Sequence, residues 1–124
     1  MKILGTWHLE SFDVDTGDGL APWGQNMRGI LIYADSGYMS VSISKDQAAP
    51  SDNEAEDILD SLLFYAGLYR IEGDTIIHSV TIASAPDRVG HDQRRRIHLR
   101  DDALTLETFP DAAIQARLCW KRSR

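Results

Sequence analysis

The chain has 124 residues, with 43% hydrophobic and 26% charged residues, a formal net charge of −6 and a pI of about 5.0. Nucleic-acid binding requires a basic face, so the acidic balance argues against a nucleic-acid partner, and no apolar run is long enough for a signal peptide or a membrane span. The length is that of one domain, which we expect to cover residues 1–124.

The first strand is predicted over about residues 7–14, directly after the motif Gly5-Thr6-Trp7. Strict alternation places Trp7 on one face of this strand and Phe12 on the other. The turn-rich residues 15–27 follow as a long connection. It carries a tryptophan, Trp23, that we expect to be exposed.

The second and third strands, about residues 28–34 and 38–44, are predicted to form a hairpin around Asp35-Ser36-Gly37. A three-residue loop of this kind is a type I turn closed by a left-handed glycine, which makes a bulge. This register predicts an inner face of five residues: Leu31, Tyr33, Met39, Val41 and Ile43. Ile30 and Ile32 then face outward, either beneath a loop or in the contact of a homodimer.

One helix is predicted between the third and fourth strands, over about residues 52–64. Ser51 and Glu54 have the spacing of a capping box. Apolar residues follow at helical spacing, at Ala55, Ile58, Leu59, Leu62 and Leu63.

The fourth and fifth strands are predicted over about residues 65–72 and 75–83, joined at Gly73-Asp74. The tight turn pairs Ile71 with Ile76, Tyr69 with His78, Gly67 with Val80, and Tyr65 with Ile82. The inner face of this hairpin therefore carries Tyr65, Tyr69 and His78.

The sixth and seventh strands are predicted over about residues 93–100 and 103–108, and the eighth over about 115–122. Alternation turns Gln93 and Arg95 inward. On the eighth strand Trp120 faces in and Cys119 faces out. Cys119 is the only cysteine, so no internal disulfide forms, and we expect a cytoplasmic protein.

Eight strands in meander order predict an all-β fold, an up-and-down antiparallel barrel whose interior either fills with side chains or holds one small ligand. The tight links at 35–37, 73–74 and 101–102 fall at one end, where Trp7 and Trp120 close a floor. The long links fall at the other end. That end is predicted to be the mouth, with the helix as a partial lid.

Four stretches of the chain resemble the bacterial lipocalin-like domain family: Gly5-Thr6-Trp7, then 31–40, 65–69, and Gly90 with Gln93-Arg94-Arg95. The resemblance spans essentially the whole chain. It implies a calycin-type eight-stranded barrel around a small-molecule cavity, but little about chemistry. In lipocalins a basic residue near the last strand stacks on the motif tryptophan, and Arg122 is the best-placed candidate, with Lys121 as its rival. The chain departs from secreted lipocalins in lacking a signal peptide and a cysteine pair.

Arg95 and His78 are the sharpest candidates for function. An inward arginine is costly unless paired, so Arg95 predicts either a bound carboxylate or phosphate or a structural ion pair. His78 beside Tyr69 is either a proton donor and acceptor or a satisfied core histidine. The ligand-binding candidates are Tyr33, Tyr65, Tyr69, His78, Gln93, Arg95 and Thr108, and the candidate floor residues are Gly5, Trp7, Trp120 and Arg122.

Three functions remain open on the sequence. The first is a binding barrel for an amphipathic organic ligand. The second is a cofactor-free isomerase or cyclase, with His78 moving protons and Arg95 stabilising negative charge. The third is an interaction module with a filled core. No metal-ligand spacing, phosphate loop or nucleophile motif is present, so we expect neither metal nor cofactor.

Overall fold

The computed structural model describes residues 2–15, 17–46 and 61–123. Within these ranges the chain forms β-strands and one 3-10 turn at Pro86–Arg88. The strands are β1 (Gly5–Asp15), β2 (Leu20–Pro22), β3 (Arg28–Tyr33), β4 (Tyr38–Ser44), β5 (Leu62–Glu72), β6 (Thr75–Ala83), β7 (Asp92–Arg100), β8 (Ala103–Glu107) and β9 (Gln115–Arg122).

The sheet closes into the predicted eight-stranded antiparallel barrel. Each strand from β3 to β8 pairs with the next one in the chain, and β1 pairs with both β3 and β9. The short strand β2 is a ninth element, and among the described residues it pairs only with the end of β1, at Asp13–Asp15. No alternation predicts β2, because its three residues are exposed and lie in a turn-rich stretch.

The β3–β4 hairpin has the predicted register, with Tyr33 opposite Met39. Gly37 adopts a φ of 93°, which a side chain would disfavour, and Ala34 N donates to Tyr38 O at 2.9 Å. The predicted inner face is buried, at Leu31, Tyr33, Met39, Val41 and Ile43. Ile30 and Ile32 are exposed on the outside, as predicted; the homodimer remains a prediction.

The prediction that Phe12 faces away from Trp7 is wrong. A register shift between Leu9 and Ser11 forms a β-bulge in β1 against β9. The extra residue reverses the alternation beyond it, so Trp7 and Phe12 are both buried in the same core.

The predicted pairing of Tyr65 with Ile82 is also wrong by one residue. The other three pairs of this hairpin are confirmed, but a shift between Ala66 and Gly67 places Tyr65 opposite Ala83. The backbones approach so closely there that a Cβ on Gly67 would lie 1.9 Å from Ser79 O. Gly67 therefore permits the bulge that brings Tyr65 to its position.

Gly67→Ala is expected to destabilise the protein by about 2 kcal/mol, because the added carbon meets backbone rather than a movable side chain. Chemical denaturation measures the effect. Gly90→Ala is the control: its φ of 82° strains the new residue, but nothing lies within 4 Å of the added carbon. Gly67 itself does not have a positive φ, so a loss no larger than that of Gly90→Ala would contradict the close approach as the reason for its glycine.

The predicted helix over residues 52–64 is corrected where the structure describes it. Leu62–Phe64 belong to β5 and pair with Ser42–Ser44 of β4. Residues 52–60, the rest of that helix, lie outside the described residues. None of the helical structure within 2–15, 17–46 and 61–123 is long and apolar enough to cross a bilayer.

The end of the barrel with the tight turns is sealed around Trp7, which is fully buried. Its Nε1 donates to the Ile3 carbonyl at 2.9 Å. The Arg122 guanidinium lies 4.3 Å from the ring centroid and donates to the carbonyls of Leu4 and Lys2. Arg122 therefore stacks on the tryptophan and ties the N-terminal residues to the last strand.

Arg122→Met is expected to destabilise the protein by about 2 kcal/mol, through the lost cation–π contact and two unpaired carbonyls. Thermal or chemical unfolding measures the loss. Lys121→Met is the control, because Lys121 is the exposed neighbour on the same strand. A loss of similar size in both variants would contradict a specific role for Arg122.

Candidate functional site

A cavity of about 380 Å³ opens at the end of the barrel with the long connections. Its wall is mainly apolar, and includes Phe12, Leu31, Val41, Ile43, Leu106, Leu118 and Trp120. Leu62, Ser84, Arg88 and Ile114 border it from the strand ends and loops. Trp7 does not line the cavity. Trp120, the other tryptophan predicted for the floor, does line it, so the cavity extends from the mouth down to this residue.

Four of the seven predicted ligand-binding residues line this cavity: Tyr65, His78, Arg95 and Thr108. Tyr33, Tyr69 and Gln93 do not. Tyr69 donates to the Ala34 carbonyl at 3.1 Å and packs edge-on against Tyr33. Gln93 lies opposite His78 on β7, and its Oε1 lies 3.5 Å from Arg95 Nη2.

His78 lies opposite Tyr69, as predicted, but its ring is buried between the hydroxyls of Tyr33 and Tyr65. Tyr33 Oη lies 2.6 Å from Nε2, and Tyr65 Oη lies 2.6 Å from Nδ1. Burial, followed by the nearby charge of Arg95, lowers the pKa of His78 to about 3. His78 is therefore a neutral imidazole at neutral pH, with both ring nitrogens engaged.

Burial also raises the pKa of the two tyrosines that contact His78. For Tyr33 the neighbouring Tyr65 and Tyr69 add to the rise, and for Tyr65 the charges of Arg95 and Arg88 oppose it. Both hydroxyls are protonated at neutral pH.

Arg95 occupies the inward register position predicted for it, opposite Ile76. Burial lowers the pKa of its guanidinium, which nonetheless stays charged at neutral pH. Nη1 donates to the Arg94 carbonyl at 2.7 Å. Within the described part of the chain no carboxylate forms an ion pair with it.

Arg88 is a second cation in the cavity wall, and sequence reasoning missed it. It lies on the 3-10 turn after β6, is half-buried, and has no side-chain hydrogen bond or ion pair among the described residues. Its positive charge acts to lower the pKa of both Tyr65 and Arg95. No local pattern identifies it, because a loop residue reaches the cavity only through the tertiary fold.

Trp23 was expected to be exposed, but it is half-buried and lines the cavity. It stacks on Phe12 with ring centroids 5.1 Å apart, and Lys45 Nζ lies 3.9 Å from its ring. The bulge in β1 turns Phe12 inward and so creates this contact. The sequence feature that could have predicted this position is an aromatic residue in a long polar connection.

The serine and threonine hydroxyls of the wall already have hydrogen-bond partners within the protein. Thr108 Oγ1 accepts from Ala116 N at 2.9 Å and lies 3.3 Å from its acceptor, Gln115 Oε1. Ser84 Oγ accepts from Phe64 N and donates to the Phe64 carbonyl. Neither hydroxyl needs a ligand to complete its hydrogen bonds.

No group of three or more His, Cys, Asp or Glu side chains that could hold a metal ion occurs within the described ranges. Cys119 is half-buried, and its Sγ lies 3.8 Å from Oγ1 of Thr105, its cross-strand neighbour.

The family model described as a lipocalin-like domain matches residues 4–123. Among solved structures, a redesigned β-barrel is similar with a TM-score of 0.53 at 12% identity, covering 98% of this chain and 92% of that chain. A mutant of the fluorescent protein UnaG is similar with a TM-score of 0.43 at 14% identity, covering 98% of this chain and 96% of that chain. No curated protein matches the chain. At such identity the first structural match supports the barrel fold alone.

Proposed function

Because the chain belongs to the lipocalin-like domain family, we propose that it is a binding barrel for one small amphipathic organic molecule. The observation that carries the proposal is the cavity of about 380 Å³ at the mouth. Ligand pockets of this kind are mostly apolar, with a few placed polar groups that orient the ligand. Here the polar groups are Tyr65, Arg95 and Arg88.

The apolar wall supplies the binding free energy for a hydrophobic body, through the area it removes from water. Aromatic walls at Phe12, Trp23 and Trp120 suit a flat or extended body. The charged groups orient the ligand, because an arginine that faces a cavity without a protein counter-ion gains most from a ligand oxygen.

Two other functions receive less support. A filled core is opposed by the size of the cavity. An isomerase or cyclase that uses His78 as its base is opposed by the contacts of that ring, since tyrosine hydroxyls occupy both nitrogens at 2.6 Å. A base with a pKa of about 3 is also a poor proton acceptor at neutral pH.

Filling the cavity tests the proposal. Ala116 lines the cavity on β9, so Ala116→Phe is expected to weaken the binding of dodecanoate and dodecanol at least tenfold by occupying their space. Isothermal titration calorimetry measures both affinities on protein whose fold is checked by circular dichroism.

Ala103→Phe is the matched control, because Ala103 is exposed on the outside of the neighbouring strand. It is expected to leave both affinities unchanged. Binding that survives Ala116→Phe, or that falls equally in both variants, would place the ligand outside the cavity.

A further inference from the structure

The His78 ring allows only two hydrogen-bond directions. A neutral imidazole has one N–H donor and one acceptor nitrogen. Since Nε2 faces Tyr33 Oη and Nδ1 faces Tyr65 Oη, one tyrosine donates to the ring and the other accepts from it. The burial that lowers the pKa of His78 favours this neutral form.

Both tyrosines are buried, so contact with the cavity, rather than burial, decides which of them donates. The Tyr33 side chain is 1% exposed and does not line the cavity. Its hydroxyl has no hydrogen-bond partner other than His78 Nε2 among the described residues. A buried hydroxyl proton needs an acceptor, so Tyr33 donates to Nε2. Nδ1 then carries the ring proton and donates to Tyr65.

The Tyr65 hydroxyl thus already accepts a hydrogen bond, and its own proton is left to donate. Tyr65 lines the cavity, where Arg95 and Arg88 also lie. The hydroxyls of Ser84 and Thr108 are satisfied within the protein. The hydrogen-bonding capacity that these polar groups still have is therefore that of donors: the Tyr65 hydroxyl and the two guanidinium groups. The indole N–H of Trp120, also in the wall, likewise has no acceptor among the described residues.

We propose that this end of the cavity is a carboxylate site, in which Tyr65 is held as a hydrogen-bond donor by the chain Tyr33–His78–Tyr65 and acts with Arg95 and Arg88. The inference rests on the proposed binding function and names the head group of its ligand: a carboxylate on an apolar body. A carboxylate is planar, matches the guanidinium fork, and has lone pairs left for a hydroxyl donor. Tyr33 and His78 are positioning residues, which act through Tyr65.

A head-group series on one tail tests the ligand class. Dodecanoate is expected to bind at least thirtyfold more tightly than dodecanol, because charge-assisted hydrogen bonds distinguish them. Dodecyltrimethylammonium should bind more weakly than dodecanol. Calorimetry measures all affinities, including that of dodecyl phosphate.

Each outcome of the series has a defined meaning. Equal affinity for the acid and the alcohol, or preference for the cation, overturns the anion site while leaving the binding barrel intact. Tighter binding of dodecyl phosphate than of dodecanoate overturns the carboxylate assignment. Failure of every probe overturns the binding function and, with it, the head-group site.

The direction of the hydrogen-bond chain is tested without a ligand. Long-range proton–nitrogen NMR correlations of His78 should show Nδ1 protonated and Nε2 as the bare nitrogen. A ring protonated at Nε2 would overturn the proposed direction of these hydrogen bonds. Because NMR reads the tautomer directly, this result does not depend on affinity.

Removing single hydroxyl groups tests whether the hydrogen-bond chain Tyr33–His78–Tyr65 controls the preference for a carboxylate head group. Tyr65→Phe is expected to lower the preference for dodecanoate over dodecanol by about tenfold. Tyr33→Phe should lower it severalfold and reduce the Nδ1-protonated form of His78, although Tyr33 is outside the cavity. Tyr38→Phe, which removes an exposed hydroxyl on the outer face, is the control. Unchanged selectivity in Tyr33→Phe would show that Tyr65 needs no positioning.

Discussion

Acidification from pH 7 to pH 4 is expected to destabilise the wild-type protein by about 3 kcal/mol more than the His78→Gln variant. The reason is the buried imidazole, whose pKa is lowered from 6.5 to about 3 in the folded protein. Between these two values the unfolded chain binds a proton that the folded chain does not. The contribution of His78 is therefore lost as the pH falls below about 6.5.

The groups that face His78 fix the sign of this effect. Tyr33 and Tyr65 contact the ring as neutral hydroxyls, and Arg95 is the nearby cation that disfavours a second positive charge. No carboxylate among the described residues forms an ion pair with the His78 ring. Protonation therefore gains nothing from its surroundings and loses one hydrogen bond.

Chemical denaturation of ligand-free protein at several pH values measures the difference. His78→Gln serves as the reference because glutamine keeps a donor and an acceptor but does not titrate. Other acid-sensitive groups, such as Glu107, whose pKa is lowered chiefly by its hydrogen bond with His98, are present in both proteins. Parallel stability curves for the two proteins would contradict a neutral, buried His78.

The barrel was predictable because its register is specified locally. Alternation of period two identifies the strands, and tight links such as Asp35-Ser36-Gly37 fix which residues face each other. A β-bulge leaves no comparable pattern in the sequence. The bulges in β1 and at Gly67 each add one residue, and each reversed or displaced a side chain that lines the cavity, Phe12 and Tyr65 respectively.

The candidate site was only partly predictable for a related reason. Cross-strand pairing correctly placed Tyr69 opposite His78. The hydrogen bonds of the ring go instead to Tyr65, farther along the neighbouring strand β5, and to Tyr33 on β3, across the barrel interior. Contacts of this kind depend on curvature and closure, which pairing alone does not give. Arg88 reaches the cavity from a loop, where alternation has no meaning.

Replacement of Arg95 with methionine is expected to weaken dodecanoate binding by about 100-fold, since the buried carboxylate would lose its charged partner. The same change should leave the free energy of unfolding within about 1 kcal/mol of the wild type. A structural arginine would give the opposite pattern, because its partner would be left buried and unpaired. Here no carboxylate within the described ranges forms an ion pair with Arg95, which donates to the Arg94 carbonyl and to Gln93.

Calorimetry and chemical denaturation on the same preparations separate these two roles of Arg95. Arg94→Met is the matched control, because Arg94 is the exposed neighbour on the same strand and does not line the main cavity. Arg95→Lys keeps the charge but loses the planar fork, so its affinity should fall between those of the wild type and Arg95→Met. A loss of more than 2 kcal/mol of stability in Arg95→Met, with affinity preserved, would make Arg95 a structural residue. The reverse result, in which affinity falls and stability is preserved, would assign Arg95 to ligand binding. An inward cation without a protein counter-ion is retained only where another group supplies the negative charge.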